Sequence, residues 1–342
     1  MINIILYHDK HYCCDLSFLV ALRISLKSMA AIVTITFNPA LDKSISVDEI
    51  IPDKKLMTST PVCEPGGGGI NVARAIKKLG GNAVAIYLAG GYIGKKITEL
   101  LTEEKIESIV IETEESTREN LVVEDIASER QYLFDMPGPM VSEQEWHACL
   151  NTIEQMHDVK YIVASGSLPQ GVPADIFARI AHIARKTSAR LIVDTSGEAL
   201  KHAVHGGVYL IKCNLRELAS LVGKEELSIE ETVRHAKGMI RKGHCEAVVV
   251  SMGPQGAMLV THEQAVNIVP PILQTKSTVG AGDSMVAGMV LSLIENKSLK
   301  DAVQYGVACG SAATIYPGTE LCHEEDVERI YKAMKNEVLL SS

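Results

Sequence analysis

The chain has 342 residues, and its 46% hydrophobic and 22% charged content is typical of a folded protein with a substantial core, which excludes general disorder. Forty-two acidic residues oppose 33 basic ones, and the net charge of −9 provides no general attraction to nucleic acid or to an anionic membrane. No stretch approaches the roughly 18 consecutive apolar residues of a membrane span. We therefore expect neither a nucleic-acid nor a membrane partner, and any anion must bind at a local site.

The first 28 residues differ from the rest of the chain. Their basic residues mostly follow a short apolar run, which is the reverse of a secretory signal. We interpret residues 1–28 as an N-terminal extension outside the domain, with Met29 as the functional start. The eight cysteines are scattered and form no CxxC pair, so we expect free thiols and a cytoplasmic location.

From Met29 onward, short apolar strands alternate with helical patterns. Segments 71–79 and 173–185 repeat apolar residues at helical spacing, and Ile176, Ile180 and Ile183 form one core-facing stripe. This alternation predicts an α/β fold with a doubly wound, mostly parallel sheet, whose ligands bind at the carboxyl ends of the strands. The predicted strands are residues 31–37, 83–88, 161–164, 191–193, 209–211 and 247–250.

Two segments interrupt this alternation. Residues 43–62 and 118–134 contain strand-like stretches with no helix between them, which predicts a small separate β-sheet that we name the lid. After Asp283 the pattern is mostly helical through Met334, and no linker separates a second domain. We therefore expect one domain over residues 29–342 with the lid attached, and its exposed strand edges suggest a homodimer formed through the lid.

A four-glycine loop begins the first chemical motif, Glu64-Pro-Gly-Gly-Gly-Gly-Ile-Asn71. Glycines let backbone N–H groups approach a small polar ligand, and Asn71 can both donate and accept hydrogen bonds. The motif by itself is equally compatible with a flexible turn. A dinucleotide-binding oxidoreductase is the rival, but the required GxGxxG spacing with a following acidic residue is not met.

The second motif, Ser277-Thr-Val-Gly-Ala-Gly-Asp-Ser-Met285, precedes an apolar helical pattern. The N–H groups of Gly280–Gly282 can bind an anion at the start of that helix, and Asp283 places one carboxylate inside the same site. This combination is typical of phosphoryl transfer, with Asp283 accepting the proton of an attacking hydroxyl. The alternative is that Asp283 is only a helix cap.

The two motifs together resemble the two signatures of the ribokinase-like, or PfkB, family of sugar kinases, and they occur in the expected order. The resemblance covers essentially Met29 to the C-terminus. It extends to the stretches SGSLPQGV, VDTSGEAL, VVVSMGPQGA and GSAAT.

The resemblance implies roles for the residues that match the family's motifs. Asp283 is similar to the family's catalytic base, and Gly280, Ala281 and Gly282 are similar to its anion hole. It also implies ATP and Mg²⁺, with Asn214 and Glu217 holding the magnesium through water. The implied nucleotide contacts are Lys55, Lys212, Asn214, Ser251, Gly253, Gly256 and Ser311. The implied potassium-binding residues are Ser277, Val279, Ala313 and Gly318.

On the sugar side the resemblance implies a phosphorylated substrate. Asp42 resembles the acid that accepts hydrogen bonds from sugar hydroxyls, and Arg118 resembles the arginine that holds the substrate phosphate. An exposed arginine paired with Glu119 is the alternative for Arg118. Met57 stands where similar members carry an arginine, which removes one positive charge. The other implied sugar contacts are Gly67, Gly68, Asn71 and Ser167.

The implied activity is ATP-dependent phosphorylation of fructose 6-phosphate at its 1-hydroxyl, which is a step of glycolysis. Kinases of tagatose 6-phosphate and fructose 1-phosphate are rivals within the family, although they usually carry a lysine at the position of Gly68. A noncatalytic sensor of sugar phosphate or nucleotide is the rival of a different class, and the presence of Asp283 argues against it.

Overall fold

The computed structural model describes residues 31–316 and 318–340, and the predicted extension at residues 1–28 lies outside this range. The helices and strands alternate as predicted. The strands are β1 (Ile32–Thr36), β2 (Ala40–Val47), β3 (Val62–Gly66), β4 (Val84–Ala89), β5 (Glu107–Glu112), β6 (Arg118–Asp125), β7 (Arg130–Phe134), β8 (Tyr161–Ser165), β9 (Arg190–Asp194), β10 (Val208–Asn214), β11 (Cys245–Ser251), β12 (Ala257–Thr261) and β13 (Ala265–Ile268). The helices are α1 (Gly68–Lys78), α2 (Gly91–Glu103), α3 (Glu143–Glu154), α4 (Ile176–Lys186), α5 (Gly197–His205), α6 (Leu215–Leu221), α7 (Ile229–Arg241), α8 (Ala281–Ile294), α9 (Leu299–Ala313) and α10 (Glu324–Leu340).

A nine-stranded sheet forms the centre of the molecule, in the order β13-β12-β11-β10-β9-β8-β1-β4-β5. The strands from β11 to β5 pair in parallel, and only β12 and β13 run antiparallel to their neighbours. The doubly wound, mostly parallel sheet is therefore confirmed. Helices α1, α2, α8, α9 and α10 contribute to the core on one face, and α3–α7 contribute to the core on the other.

The six strands predicted from apolar runs correspond to β1, β4, β8, β9, β10 and β11. The stripe of Ile176, Ile180 and Ile183 on α4 is buried, as its spacing predicts. Strand β5 was not predicted, because it lies at the sheet edge and carries Glu107 and Glu112 at its ends. An edge strand tolerates charged residues, so its apolar signal is weaker than that of a central strand.

A second, four-stranded sheet has the order β3-β2-β6-β7, with β2 and β6 parallel and the outer pairs antiparallel. It contains the two lid segments, but its first part extends beyond the predicted residues 43–62. Strand β2 begins at Ala40, and β3 continues to Gly66. Pro65 and Gly66 are poor strand formers, which explains why the sequence pattern does not reveal β3.

Candidate active site

Asp283 lies in the first turn of α8 and faces a cavity of about 330 Å³. Gly280 precedes the helix with φ of 73°, a left-handed conformation that favours glycine. Asn71 Nδ2 donates a 3.0 Å hydrogen bond to Asp283 Oδ2, and the Ser165 hydroxyl donates one of 3.4 Å to Oδ1. The two sequence motifs therefore meet at a single carboxylate, which is oriented by residues from α1 and β8.

The surroundings of Asp283 change its proton affinity. Burial raises the pKa of Asp283 to about 7, and the negative charge of Asp194 acts in the same direction. The hydrogen bond from Asn71 and the positive charge of Lys212 oppose this rise. A carboxyl group with a pKa near neutrality can accept a proton at physiological pH, as a general base must.

The cavity also contains an ion pair that the sequence analysis did not assign. Lys212 Nζ lies 2.9 Å from Asp194 Oδ2, and the two residues are register partners on β10 and β9. Burial lowers the pKa of Lys212, but the charge of Asp194 and its hydrogen bond outweigh this effect, so the net pKa is raised. The lysine is therefore charged beside Asp283. The sequence could have indicated Asp194 as a site residue, because it directly follows the strand predicted over residues 191–193 and ligands bind at the carboxyl ends of such strands.

The start of α8 has the character of an anion site. The first N–H groups of a helix have no intrahelical acceptor. Among the described residues, the N–H groups of Gly280 and Gly282 have no hydrogen-bond partner, and that of Ala281 donates only a long bond, 3.4 Å, to the Thr278 carbonyl. A Cβ at Gly282 would lie 2.8 Å from Lys212 Nζ, so the absence of a side chain lets the ammonium group approach the helix start.

The four-glycine loop packs tightly against the same cavity. Gly67 has φ of 110°, which an L side chain rarely adopts. A Cβ at Gly68 would collide with Ser165 Oγ and lie 2.7 Å from the Gly166 nitrogen. Gly68 and Ser167 line the cavity together with Asp283. The loop is therefore a close backbone approach and not merely a flexible turn.

Asp42 and Arg118 lie on adjacent strands of the small sheet. Asp42 pairs in register with Asn120, and Asn120 Nδ2 donates a 2.9 Å hydrogen bond to Asp42 Oδ1. Burial raises the pKa of Asp42, and this rise is only partly offset by the Asn120 hydrogen bond and by Arg118. The carboxylate is thus a strong acceptor that lacks full solvation.

The guanidinium group of Arg118 is held by three acceptors. Nη1 donates to the Met136 carbonyl at 2.9 Å and to Asn120 Oδ1 at 3.3 Å, and Nη2 donates to the Asn38 carbonyl at 3.3 Å. Its buried Nε has no partner among the described residues. Glu119 instead pairs with Lys43, which rules out the surface pairing considered for Arg118.

Asn38 was not predicted as a site residue, yet it connects two that were. Its carbonyl accepts from Arg118, and its Nδ2 donates a 3.0 Å hydrogen bond to Ser167 Oγ. Its own Oδ1 is buried without a partner in the described part of the chain. Its position directly after the strand predicted over residues 31–37 was the only sequence signal for this residue.

A second cavity of about 500 Å³ shares Lys212 and Gly282 with the first. Its walls are largely apolar and include residues that sequence analysis did not assign, such as Ile272, Met285 and Val307. Six of the seven predicted nucleotide contacts line it: Lys212, Asn214, Ser251, Gly253, Gly256 and Ser311. An apolar cavity that shares residues with an anion site has the two chemical environments that a nucleoside triphosphate requires.

Lys55 is the seventh predicted nucleotide contact, and the structure does not bring it to this cavity. It is an exposed residue on the connection between β2 and β3, and it is not among the residues that line either cavity. The connection is irregular and mostly exposed, and the Lys55 side chain has no hydrogen bond or ion pair with the residues that the structure describes. Met57 lies on the same connection and is 80% exposed.

Asn214 and Glu217 form a capping box at the start of α6. Asn214 Oδ1 accepts from the Glu217 N–H at 2.8 Å, and Glu217 Oε2 accepts from the Asn214 N–H at 2.7 Å. Helix capping alone therefore explains their spacing. Glu217 also faces the catalytic cavity with Asp194 and Asp283, although no three acidic, histidine or cysteine side chains in the described residues converge enough to hold a metal by themselves.

The four residues predicted to bind potassium lie on two segments that pack together. The Ser277 hydroxyl donates to the Gly318 carbonyl at 2.8 Å and accepts from the Val279 N–H at 3.2 Å. The Ala313 carbonyl accepts from the Tyr316 N–H at 3.3 Å. Each carbonyl oxygen retains a second lone pair, so these hydrogen bonds leave acceptor capacity for a cation.

A larger cavity of about 970 Å³ is lined by Gly207, Val208 and Cys245 at the amino-terminal ends of β10 and β11. It lies at the opposite end of the strands from Asp283 and contains no predicted site residue.

The helices in the described part of the chain include none with the length and apolar composition of a membrane span.

Residues 34–326 match the profile described as pfkB family carbohydrate kinase. The chain belongs to the pfkB family of carbohydrate kinases. It is therefore an enzyme that transfers phosphoryl groups, and the predicted family and enzyme class are confirmed. The family match argues against both the noncatalytic sensor and the oxidoreductase considered from the sequence.

Named relatives of this pfkB kinase span its domain. The ATP-dependent 6-phosphofructokinase isozyme 2 of Escherichia coli K12 is 44% identical over 304 residues, which cover 89% of this chain and 98% of the relative. The 1-phosphofructokinase of Bacillus subtilis 168 is 32% identical over 304 residues, with the same coverage of 89% and 98%. The crystal structure of phosphofructokinase-2 from Escherichia coli in complex with potassium matches with a TM-score of 0.86 and 43% identity, covering 90% of this chain and 99% of that one.

Proposed function

We propose that this pfkB kinase transfers the γ-phosphoryl group of ATP to the 1-hydroxyl of fructose 6-phosphate, forming fructose 1,6-bisphosphate and ADP. The observation that carries the proposal is the position of Asp283. Its carboxyl has a pKa of about 7, is held by Asn71 from the glycine loop, and lies beside the unpartnered N–H groups at the start of α8. The similarity to 6-phosphofructokinase isozyme 2 supports the choice of substrate.

In the proposed reaction Asp283 accepts the proton of the sugar hydroxyl as its oxygen attacks the γ-phosphorus. The new oxygen–phosphorus bond forms while the bond from the γ-phosphorus to the β–γ bridging oxygen breaks, and ADP leaves with that oxygen. Negative charge on the transferring group is stabilised by the N–H groups of Gly280–Gly282. Lys212 lies between the two cavities and adds a positive charge next to the same position.

A phosphorylated ketohexose fits the small-sheet side of the site. Asp42 accepts hydrogen bonds from sugar hydroxyls, and the guanidinium group of Arg118 supplies a positive charge for the 6-phosphate. Three of the five N–H donors of Arg118 are already engaged, which orients the guanidinium group before the substrate arrives. A local positive charge is necessary because the protein as a whole carries −9.

Two metal ions complete the proposal. Glu217, with Asp194 and Asp283 nearby, offers hard oxygen ligands that suit Mg²⁺ bound partly through water, and the backbone carbonyls near Ser277 and Gly318 suit K⁺. Mg²⁺ bound to the nucleotide would neutralise charge on its phosphates. We propose ATP as the nucleotide, with its adenosine in the cavity lined by Ile272 and Val307.

Fructose 1-phosphate and tagatose 6-phosphate are the alternative substrates. Met57 supplies no charge to hold a 6-phosphate, which favours fructose 1-phosphate but does not separate tagatose 6-phosphate from fructose 6-phosphate, and the resemblance to a 1-phosphofructokinase is consistent with fructose 1-phosphate. Gly68 opposes them, because the backbone nitrogen of Gly166 leaves no room there for the lysine that such kinases usually carry.

We also propose that the kinase is a cytoplasmic homodimer formed through the small sheet. The six cysteines in the described part of the chain are free thiols, as a reducing compartment requires. Leu133 and Phe134 on edge strand β7 are about half exposed, and Val62 on edge strand β3 is also exposed. Apolar residues along an unpaired strand edge favour association with a second copy.

A coupled assay of ADP release tests the substrate, with fructose 6-phosphate, tagatose 6-phosphate, fructose 1-phosphate and fructose offered in turn. We expect the highest kcat/KM for fructose 6-phosphate. A preference for either other phosphate would assign the alternative activity, and a preference for unphosphorylated fructose would contradict the role of Arg118. Light scattering tests the dimer, and a monomeric active enzyme would contradict it.

A further inference from the structure

Arg74 on α1 is a buried arginine that no catalytic step uses. Its side chain is only 4% exposed, and every nitrogen of its guanidinium group has a hydrogen-bond partner. Nη1 donates to the Pro65 carbonyl at 3.0 Å, Nη2 donates to Glu64 Oε1 at 3.0 Å, and Nε and Nη2 contact the Glu104 carboxylate at 2.8–3.0 Å. Arg74 therefore holds the two residues that immediately precede the four-glycine loop.

Glu64 has a second partner from a distant part of the chain. Its Oε2 accepts a hydrogen bond from the hydroxyl of Thr319, 255 residues away, and Thr319 is buried. Burial alone would raise the pKa of Glu64, but the hydrogen bond from Thr319 and the charge of Arg74 outweigh this effect and lower it. Glu64 is therefore an ionised side chain that links β3 to the segment before α10.

The segment around Thr319 contacts the anion hole. The Gly318 carbonyl accepts from the Ser277 hydroxyl, and a Cβ at Gly280 would lie 2.8 Å from Leu321 Cδ2. Gly280 begins the helix that carries Asp283. A displacement of residues 318–321 would therefore be transmitted directly to the N–H groups that bind the transferring phosphoryl group.

The opposite end of the linkage contacts the sugar side. Pro65, held by Arg74, is followed by Gly66, whose backbone packs so closely on Asp42 that a Cβ there would collide with the carboxylate. Gly68, two residues further on, packs on Ser165. The position of Pro65 therefore determines where the glycine loop lies relative to Asp42 and Ser165.

We propose that Arg74, Glu64 and Thr319 form a positioning clamp that fixes the position of the sugar-binding glycine loop relative to the anion hole. This proposal rests on the function proposed above. Buried ion pairs contribute little net stability, because the cost of desolvation offsets their attraction. The clamp residues therefore act through the geometry that their hydrogen bonds impose on Pro65 and Glu64. Phosphoryl transfer depends on the alignment of acceptor and phosphoryl group, and a shift of about 1 Å can cost roughly 10²-fold in rate.

The test removes the Thr319 hydroxyl with little change in volume, by Thr319→Val. We expect kcat to fall about tenfold and KM for ATP to stay within about twofold, since alignment and not nucleotide affinity is affected. Thr319→Ser keeps the hydroxyl and should restore most of the rate. The matched control is Thr232→Val, which removes a buried hydroxyl that has no partner within the described residues, on a helix away from the site.

A double-mutant cycle with Glu64→Gln tests whether the two residues act as one unit. We expect the effects of Thr319→Val and Glu64→Gln on kcat to be clearly less than additive. The clamp is refuted if Thr319→Val lowers only the melting temperature while kcat at 25 °C remains normal, or if the two effects on kcat add fully. Each variant is compared with the wild type on whichever sugar phosphate the wild type prefers, so a different substrate would overturn the proposed function without affecting this test.

Discussion

The side-chain amide of Asn71 donates a 3.0 Å hydrogen bond to the carboxylate of Asp283, although the two residues are 212 positions apart in the chain. Asn71 belongs to the helix that begins in the glycine loop, and Asp283 belongs to the helix that begins in the anion hole. The bond therefore orients the catalytic base relative to the loop that approaches the sugar.

Replacement of Asp283 by asparagine should reduce kcat by at least roughly 10²-fold, because the amide keeps the size of the side chain but cannot accept the proton. Binding of ATP, measured by calorimetry, should persist. Asp175→Asn, which changes a carboxylate in a surface ion pair with Arg179, is the control and should retain full activity. Near-normal turnover in Asp283→Asn would mean that the carboxylate only caps the helix.

The rate should depend on pH through Asp283. The pKa of about 7 means that the base is protonated and inactive below neutrality, so kcat/KM should rise about tenfold per pH unit up to pH 7 and then level off. Asp194→Asn removes a negative charge that raises this pKa, so the midpoint should move to lower pH. A midpoint that is unchanged in the variant would show that Asp194 does not influence the base.

The ionisation of Asp283 should also affect the stability of the protein, which should fall as the pH rises, whereas the reaction rate should increase. Because the folded-state pKa of Asp283 is raised from 3.8 to about 7, the folded protein binds more protons than the unfolded chain between these values. This contribution to stability is complete below about pH 4 and is lost as the pH rises through 7. Asp283→Asn should therefore gain in melting temperature relative to the wild type as the pH is raised from 5 to 8. A difference that is independent of pH would contradict the shifted pKa.

Arg118→Ala should raise KM for fructose 6-phosphate by about 10- to 100-fold, since a hydrogen bond to a charged group contributes roughly 1.5–3 kcal/mol. KM for ATP should change much less. Arg234→Ala, on an exposed helix position, provides the control for loss of one positive charge. Equal changes in both KM values would argue that Arg118 supports the small sheet and does not bind the phosphate.

Gly68→Ala tests the packing of the glycine loop. The added Cβ would collide with Ser165 Oγ and lie 2.7 Å from the backbone nitrogen of Gly166, so it must displace the loop or β8. We expect a loss of kcat/KM of at least about tenfold, in the range that a misplacement near 1 Å produces. Gly238→Ala, at a helical position where a Cβ meets no atom within 4 Å, is the control. Full activity in Gly68→Ala would show that the loop relaxes freely and would weaken the case against the alternative substrates.

The central strands, the helix stripe on α4 and the two chemical motifs could be predicted from the sequence, because each depends on local periodicity or on a short run of residues. The family resemblance added roles for Asp283, Arg118 and the nucleotide contacts. Six of those contacts line one cavity, whereas Lys55 lies outside it, since a motif match carries no information about how an exposed connection packs.

Only the tertiary structure revealed Asp194, Asn38 and the clamp of Arg74, Glu64 and Thr319. Their partners lie on other elements of the fold, and in the case of Glu64 and Thr319 they are 255 residues apart, so a short sequence pattern cannot report these contacts. The pKa of Asp283 is likewise a tertiary property, because it arises from burial and from the charge of Asp194, which lies on strand β9 far from α8 in the chain. The sequence therefore determined which groups are present and which elements carry them, and the packing of those elements decided which groups meet and in which protonation state.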